Sequence, residues 1–294
     1  MKIVSDRGNL RNQINSVLGN LLSKCLPQKM LYILRYYSHR HKLPNFEHPK
    51  DLSERILASM LSPEFLNFAI FADKVRVQGY IKSKGLGELL IPQYGSWETA
   101  EEIPFDELPN KFILKANNGC GGHIICTDKT SLNITETIKR MNQALKASKN
   151  LKKTEPHYCK IQPLILCEEL LGNGEVLPID YKFLCIKGKV AAILAISDRE
   201  DDARKMTLDS NWNVLPYVLP QYLPKRKPEK PEHLKEMVEV AEILSEDFEF
   251  VRVDLYDFEG KIYFGELTFS PAGGILHTFS TEALETLGAL FSKE

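Results

Sequence analysis

No run of apolar residues in this sequence is long enough to cross a bilayer. The longest, residues 190–196, falls far short of the ~20 residues a spanning helix needs, so no transmembrane segment is expected. Polar residues follow Met1-Lys2-Ile3-Val4 directly, and no signal-peptide core is expected there. Neither sign of charge dominates. The 38 basic and 39 acidic residues leave a net charge of −1, which gives nucleic acid no general attraction. The six cysteines, at 25, 120, 126, 159, 167 and 185, form no C-x-x-C pair, and their spacing suits neither a zinc site nor a disulfide framework. The expectation is a cytoplasmic protein with reduced, mostly buried thiols. The sequence shows no internal repeat.

A chain of 294 residues is long for one core and short for three domains, so two lobes and an appendage are expected. The first part reads as helical. Ile14, Val17, Leu18, Leu21, Leu22 and Cys25 recur at helical spacing, and Pro27 ends that segment. Residues 29–43 are both basic and aromatic, with Lys29, Tyr32, Arg35, Tyr36, Tyr37, Arg40 and Lys42 among them. Two readings stay open for this stretch. It is a peripheral contact for a membrane surface or acidic polymer, or a helix with an aromatic core face and a solvated basic face. Further helices are expected over 52–61, capped at Ser53, and over 71–81, stopping before Gly85 and Gly87.

Strand patterns follow. Residues 89–92 and 111–116 read as strands, 100–108 as an exposed turn and short helix, and 124–126 as a return strand. Residues 135–148 read as a helix with Ile138, Met141 and Leu145 on one stripe, and 150–153 as a polar loop. An apolar strand then runs into Glu168-Glu169. Residues 180–186 and 189–197 flank a Lys187-Gly188 turn as a hairpin, 198–206 read as a charged loop, and 221–231 as a Pro- and Lys-rich linker. Amphipathic helices are expected over 231–248 and 281–291.

The stretch that concentrates chemistry is 250–269. Both arms alternate, with Glu259-Gly260 where a tight turn belongs. Arg252, Asp254 and Tyr256 share one face of the first arm; Phe264, Glu266 and Thr268 are expected to share one face of the second. Pairing would set Asp254 opposite Glu266 and gather two carboxylates, a guanidinium and a hydroxyl into a cradle for Mg²⁺ and phosphate. The glycines of Asn118-Gly119-Cys120-Gly121-Gly122 let backbone approach a ligand, and successive N–H groups can nest an anion; a plain tight turn is the alternative. Lys115 ends an apolar strand and either supplies a point charge for phosphate or sits on the solvent face. Glu168 and Glu169 meet an adenine amino group or ribose hydroxyls, or are solvated surface. Lys182 shares a face with Asp180. Together with Arg199 it is expected to converge on the Asp254/Glu266 face, as a phosphoryl-transfer site requires.

The order of these parts resembles the ATP-grasp superfamily and, within it, the TupA-like ATP-grasp family, named for teichuronopeptide biosynthesis. The residues that carry the resemblance are Ala72-Asp73-Lys74, residues 109–115, Asn118 to Gly122, Cys167-Glu168-Glu169, Asp180-Tyr181-Lys182-Phe183, residues 251–256 and residues 264–271. The resemblance implies an α+β fold in which two α+β lobes sandwich a nucleotide, preceded by a helical segment. The segment would span 1–70, the small lobe with its glycine-rich lid 71–168, and the large lobe with the Mg²⁺ and phosphate site 169–294.

The implied cofactors are ATP and Mg²⁺. By the same resemblance Lys74 and Lys115 reach the ATP phosphates, and Gly119, Cys120, Gly121 and Gly122 close over the β- and γ-phosphates. Glu168, Glu169 and Leu171 line the adenine and ribose site. Asp254 and Glu266 hold Mg²⁺ with Thr268 beside them, and Lys182, Arg199 and Arg252 face the γ-phosphate and an acyl phosphate. The implied partners are a carboxylate, which takes the γ-phosphoryl group, and an amine, which displaces phosphate to leave an amide; a surface polysaccharide or its uronic acid precursor is the substrate implied. This chain departs from the family pattern twice. Thr268 stands where many members have Asn, and residues 1–70 lack the β-rich pattern of the domain that commonly holds the acceptor. Rival readings are a kinase or glycosyltransferase of polysaccharide biosynthesis, and a nucleotide-binding module without catalysis.

Overall fold

The fold is taken from a computed structural model that describes residues 26–119, 122–147, 151, 153–172, 178–197 and 204–292. The helix expected over 14–25 and the site candidates Cys120, Gly121 and Arg199 lie outside the described residues, as do Asn150, Lys152 and residues 198–203 of the two expected loops.

The elements, in chain order, are α1 (Gln28–Arg40), α2 (Leu52–Met60), α3 (Ala69–Ala72), α4 (Val77–Ser83), β1 (Gln93–Trp97), β2 (Phe112–Ala116), β3 (Ile124–Cys126), α5 (Ile134–Ala147) and β4 (Ile165–Glu168). There follow β5 (Asp180–Ile186), β6 (Lys189–Ser197), β7 (Arg204–Leu208), β8 (Val214–Leu215), α6 (Leu234–Ser245), β9 (Phe250–Phe258), β10 (Lys261–Thr268) and α7 (Thr281–Ala289). Two antiparallel sheets result. The smaller runs β1-β4-β2-β3 and the larger β10-β9-β5-β6-β7-β8. No helix among the described residues is long and apolar enough to cross a membrane.

Each sheet has its own core. Phe112, Leu114, Ile165 and Cys167 of the small sheet pack with Met141 and Ala144 of α5. Ala100, Ile103, Phe105 and Leu108 join them, so the segment expected to be exposed at 100–108 in fact buries its apolar residues. The larger core gathers Phe183, Ile193, Val253, Leu255 and Leu267 from one face of the big sheet with Met237, Ala241 and Leu244 of α6. Apolar residues of α1 to α4 (Tyr32, Tyr36, Leu57, Ala72, Val77, Ile81) enter this same core.

Several local expectations are corrected. Helix α2 is capped by Asp51, which accepts from the Glu54 N–H in a capping box, rather than by Ser53. Ser53 is buried and accepts from the Leu276 N–H. The single helix expected over 71–81 is two, because the Asp73 carboxylate accepts from the N–H groups of Val75 and Arg76 and turns the chain there. The strand expected over 89–92 begins at Gln93, after the proline that cannot donate to a ladder. Residues 204–206 are strand rather than loop, paired to β6.

Helix α1 has the expected aromatic core face, with Tyr32 and Tyr36 fully buried. Its basic face is not simply solvated. Arg35 donates to the Gly273 carbonyl at 3.3 Å, and Arg40 donates to the Phe279 and Leu276 carbonyls at 2.9 and 2.8 Å. Lys42, just beyond the helix, pairs with Asp51. The arginines are therefore turned inward onto the loop that follows β10.

Candidate active site

In the β9–β10 hairpin, Val251, Val253 and Leu255 face the large core, while Arg252, Asp254 and Tyr256 face the other way. On β10 the pattern breaks. Phe264 pairs with Leu255 and Glu266 with Asp254, with an irregularity between them. Gly265 is thus a bulge residue, and the two side chains that flank it point to opposite faces. The expectation that Phe264 and Glu266 share a face is corrected: Phe264 is core, whereas Glu266 and Thr268 stand with Asp254 and Arg252. The signal was readable. Apolar residues at 262, 264 and 267 break the period of two, and a glycine stands in a strand interior.

The register across the sheet completes the polar face. Asp254 is flanked by Glu266 on β10 and by Lys182 on β5, and Asp180 pairs with Tyr256. Arg252 grips Asp254 with two nitrogens, at 2.6 and 2.7 Å, and donates to Glu266 at 2.8 Å. Lys182 donates to Asp254 and, at 2.5 Å, to Asp180. The Thr268 hydroxyl donates to Glu266 at 3.0 Å. Burial pushes the Asp254 carboxyl up, to about 6, against the pull of Arg252 and Lys182. Burial would also raise Glu266, but Lys74, Arg252 and Lys182 outweigh it and hold that carboxyl well below the usual range. Lys182 keeps its proton more firmly than a free lysine, because Asp254 overcomes the cost of burial.

Lys74 reaches this face from the turn between α3 and α4. Its Nζ donates to the Gly119 carbonyl at 2.9 Å and lies 3.5 Å from Glu266. The turn is anchored by Asn117, whose amide donates to Asp73 at 2.8 Å and to the Gln162 carbonyl at 3.0 Å. Asn117 was not singled out from sequence, although it opens the glycine-rich loop.

A cleft of about 330 Å³ lies between the two sheets, lined by Lys74, Lys115, Gly119, Glu169, Leu171, Lys182, Asp254 and Glu266 among others. The structure thus brings together most of the residues picked from sequence. Glu168 behaves differently from Glu169. It is buried and ion-paired to Lys115 at 2.5 Å, so it positions that lysine while Glu169 faces the cleft. Gly122 has a positive φ of +72°, and a Cβ there would meet the Ala144 Cβ at 2.7 Å. Close packing on α5 explains that glycine without any ligand. The buried thiols are unreactive by environment: burial pushes Cys167 and Cys185 up to about 12.

The donor set fits Mg²⁺. Two facing carboxylates are hard oxygen ligands, and among the described residues no group of three or more His, Cys, Asp or Glu is placed to hold a metal ion. A cation held by one or two carboxylates that completes its shell with phosphate oxygens and water is the habit of Mg²⁺.

Over residues 52–292 the sequence matches the family described as TupA-like ATPgrasp. No curated protein is similar enough to match the chain. Among solved structures, D-alanine–D-alanine ligase from Bacillus anthracis is 18% identical; the match covers 78% of this chain and 66% of that one, with a TM-score of 0.47. The corresponding ligase from Helicobacter pylori is 16% identical over 74% of this chain and 58% of its own, with a TM-score of 0.43. The ATP-grasp ligase PsnB, complexed with a phosphomimetic variant of its minimal precursor, Mg and ADP, is 14% identical over 82% and 66%, with a TM-score of 0.42. The chain spans under two thirds of the length of each of these ligases.

Proposed function

The chain belongs to the TupA-like ATP-grasp family, and from that premise we propose that it is an ATP- and Mg²⁺-dependent carboxylate–amine ligase. The observation that carries this reading is the cross-strand register that sets Glu266 beside Asp254 and Asp254 beside Lys182, with Arg252 bridging the two acids. The small sheet and large sheet serve as the two lobes, with the nucleotide in the cleft between them.

In this reading Asp254 and Glu266 hold Mg²⁺, with the Thr268 hydroxyl orienting Glu266. Bound Mg²⁺ would neutralise phosphate charge. Lys74 and Lys115 bind phosphate oxygens, and Lys74 couples the start of the glycine-rich loop to the large sheet. Glu169 and Leu171 contact the base and ribose. Lys182 and Arg252 face the γ-phosphate. A substrate carboxylate oxygen bonds to the γ-phosphorus as the bond to the ADP oxygen breaks. An amine then adds to the activated carbonyl carbon, loses its proton and expels phosphate, leaving an amide. The chain's contribution to the first step is positioning and charge neutralisation.

A uronic acid or surface polysaccharide as the acid partner rests on family likeness alone. The test is ADP release by the purified protein with ATP and Mg²⁺ over a panel of carboxylates, uronic acids included, paired with amino acids and amines. Release that needs both partners, with phosphate set free, supports the ligase. Stable transfer of labelled γ-phosphate to a product shows a kinase instead, and silence over the whole panel ends the reading.

A further inference from the structure

Lys205 stands on the polar face of the large sheet and has no ion-pair partner among the described residues. Its position follows from register. Lys182 pairs with Leu194, and Leu194 with Thr207, so Thr207 lies in the row of Glu266, Asp254 and Lys182. Lys205 is two residues from Thr207 on β7, opposite Ile196, and therefore shares that row's face. The other cations there are matched. Lys182 has Asp180 and Asp254, Arg252 has Asp254 and Glu266, and Lys74 has Glu266. Three cations stand against three carboxylates there, and the nearby Glu155, which acts on Arg252 and Glu266, has Arg35 to match it, so Lys205 is the surplus charge. Burial, then repulsion from Arg252 and Lys182, loosens its proton.

Lys205 lies near enough to the loop after β10 for its charge to act on His277. His277 is held below the ordinary imidazole value by burial and by the charges of Lys205 and Arg40. Its ring stacks on His39 of α1 at 5.6 Å and meets Tyr222 edge-on at 6.0 Å. His39 is likewise held down, by burial and by His277, Arg35 and Arg40. The wall beside Lys205 thus carries two stacked imidazoles and the guanidinium groups of Arg35 and Arg40, and α1 and the 270–280 loop supply it.

We propose that Lys205 binds the carboxylate of the substrate to be activated, in a subsite walled by His277 and His39 at the β7 side of the polar face. The subsite rests on the ligase reading and adds where the acid enters and which residue holds it. A carboxylate brought to a triphosphate meets repulsion, and a positive charge not already matched by the protein relieves it. It also assigns α1 a role, as part of the wall that receives the acid.

The test uses the full chain and needs no turnover. Lysines are reductively methylated with formaldehyde and borohydride, and modification is mapped by peptide mass spectrometry. Acetate, glutarate and the methyl glycoside of glucuronate, none of which carries an amine or a free aldehyde, are compared with chloride at equal ionic strength, and separately with MgATP. Slower modification of Lys205 with a carboxylate than with chloride, and no slowing with MgATP alone, supports the subsite. Protection by MgATP alone, or by none of the carboxylates, overturns it. Where ADP release is found, Lys205→Gln should raise KM for the acid about tenfold and leave KM for ATP within about twofold, with Lys205→Arg restoring most of the affinity. An equal rise in both constants overturns the assignment. A failed ADP screen would sink the ligase reading, whereas the labelling result stands on its own.

Discussion

Glu266 stands opposite Asp254 because Gly265 is an extra residue in its strand. The turn at Glu259-Gly260 pairs Phe258 with Lys261, and carried forward without interruption that register would place Gly265 opposite Asp254 and turn Glu266 into the core. A Cβ at position 265 would lie 3.0 Å from the Asp254 carbonyl oxygen and 3.1 Å from the Tyr256 ring. Gly265→Ala is therefore expected to shift Glu266 while leaving the rest of the hairpin paired. The expected outcome is a loss of ADP release of about tenfold to a hundredfold with a melting temperature within a few degrees of the parent. A variant that melts far earlier but retains its specific activity would show the bulge to be structural only.

The two carboxylates differ in what they hold. Asp254 is 1% exposed and satisfies two cations, the buried Lys182 and the half-buried Arg252. Asp254→Asn leaves those cations undercompensated, at a cost of about 3–5 kcal/mol. The side chain of Glu266 is 31% exposed, and Arg252 keeps Asp254 when it is lost. Glu266→Gln should cost only about 1 kcal/mol, while both variants lose turnover. Urea unfolding without metal orders them, and a Glu266→Gln loss equal to that of Asp254→Asn would contradict this partition.

Lys74 joins a backbone carbonyl of the glycine-rich loop to a carboxylate of the large sheet. Lys74→Met should raise KM for ATP about tenfold and leave KM for the acid partner nearly unchanged. Calorimetry with MgATP reads the same loss without turnover. Unaltered nucleotide affinity would remove Lys74 from the phosphate site.

Gly122→Ala should destabilise by about 1–3 kcal/mol, from the strained φ and the clash with Ala144. Ala144→Gly in the same chain should recover part of the loss. Recovery seen in thermal melts separates packing on α5 from any role in binding phosphate.

His157 is fully buried, edge-on to Phe65 at 5.0 Å, with neither ring nitrogen hydrogen-bonded among the described residues. Burial lowers its pKa from 6.5 to about 4. The unfolded chain thus binds a proton that the folded chain refuses, so this group's stability is fully present above pH 6.5 and declines as pH falls towards 4. The full difference is about 3 kcal/mol. His157→Phe should flatten that part of the acid dependence, measured as the change in unfolding free energy between pH 7 and 4.5. An equally steep loss in the variant would show that other groups carry it.

The strands that carry chemistry were legible because alternation, turn pairs and charge placement agree at β5, β6 and β9, whereas on β10 the bulge at Gly265 breaks the alternation. The β5–β6 hairpin falls at its expected boundaries. What was not legible depends on contacts distant in sequence. Asp73 breaks the helix expected over 71–81, and Asn117, from beyond the next strands, locks that break. Glu168 looked equivalent to Glu169 until the neighbouring strand brought Lys115 diagonally onto it as an ion pair. Lys205 lay in a segment too charged to read as strand, and only its pairing with Ile196 puts it on the site's face. The arginines of α1 looked solvent-facing because their acceptors are carbonyls, which composition does not reveal.

Those carbonyls impose an order on folding during synthesis. Arg35, Arg40 and Arg55 find acceptors at Gly273, Phe279 and Gly288, each more than two hundred positions onward. A ribosome delivers the donors first, at about 5–20 residues per second. For most of translation α1 and α2 must wait undocked, with Tyr32 and Tyr36 unburied, while the small sheet, whose strands all lie within residues 93–168, can already close. The nascent chain therefore passes through a stage with one finished half and one open apolar surface, when chaperone capture of the early helices is most effective.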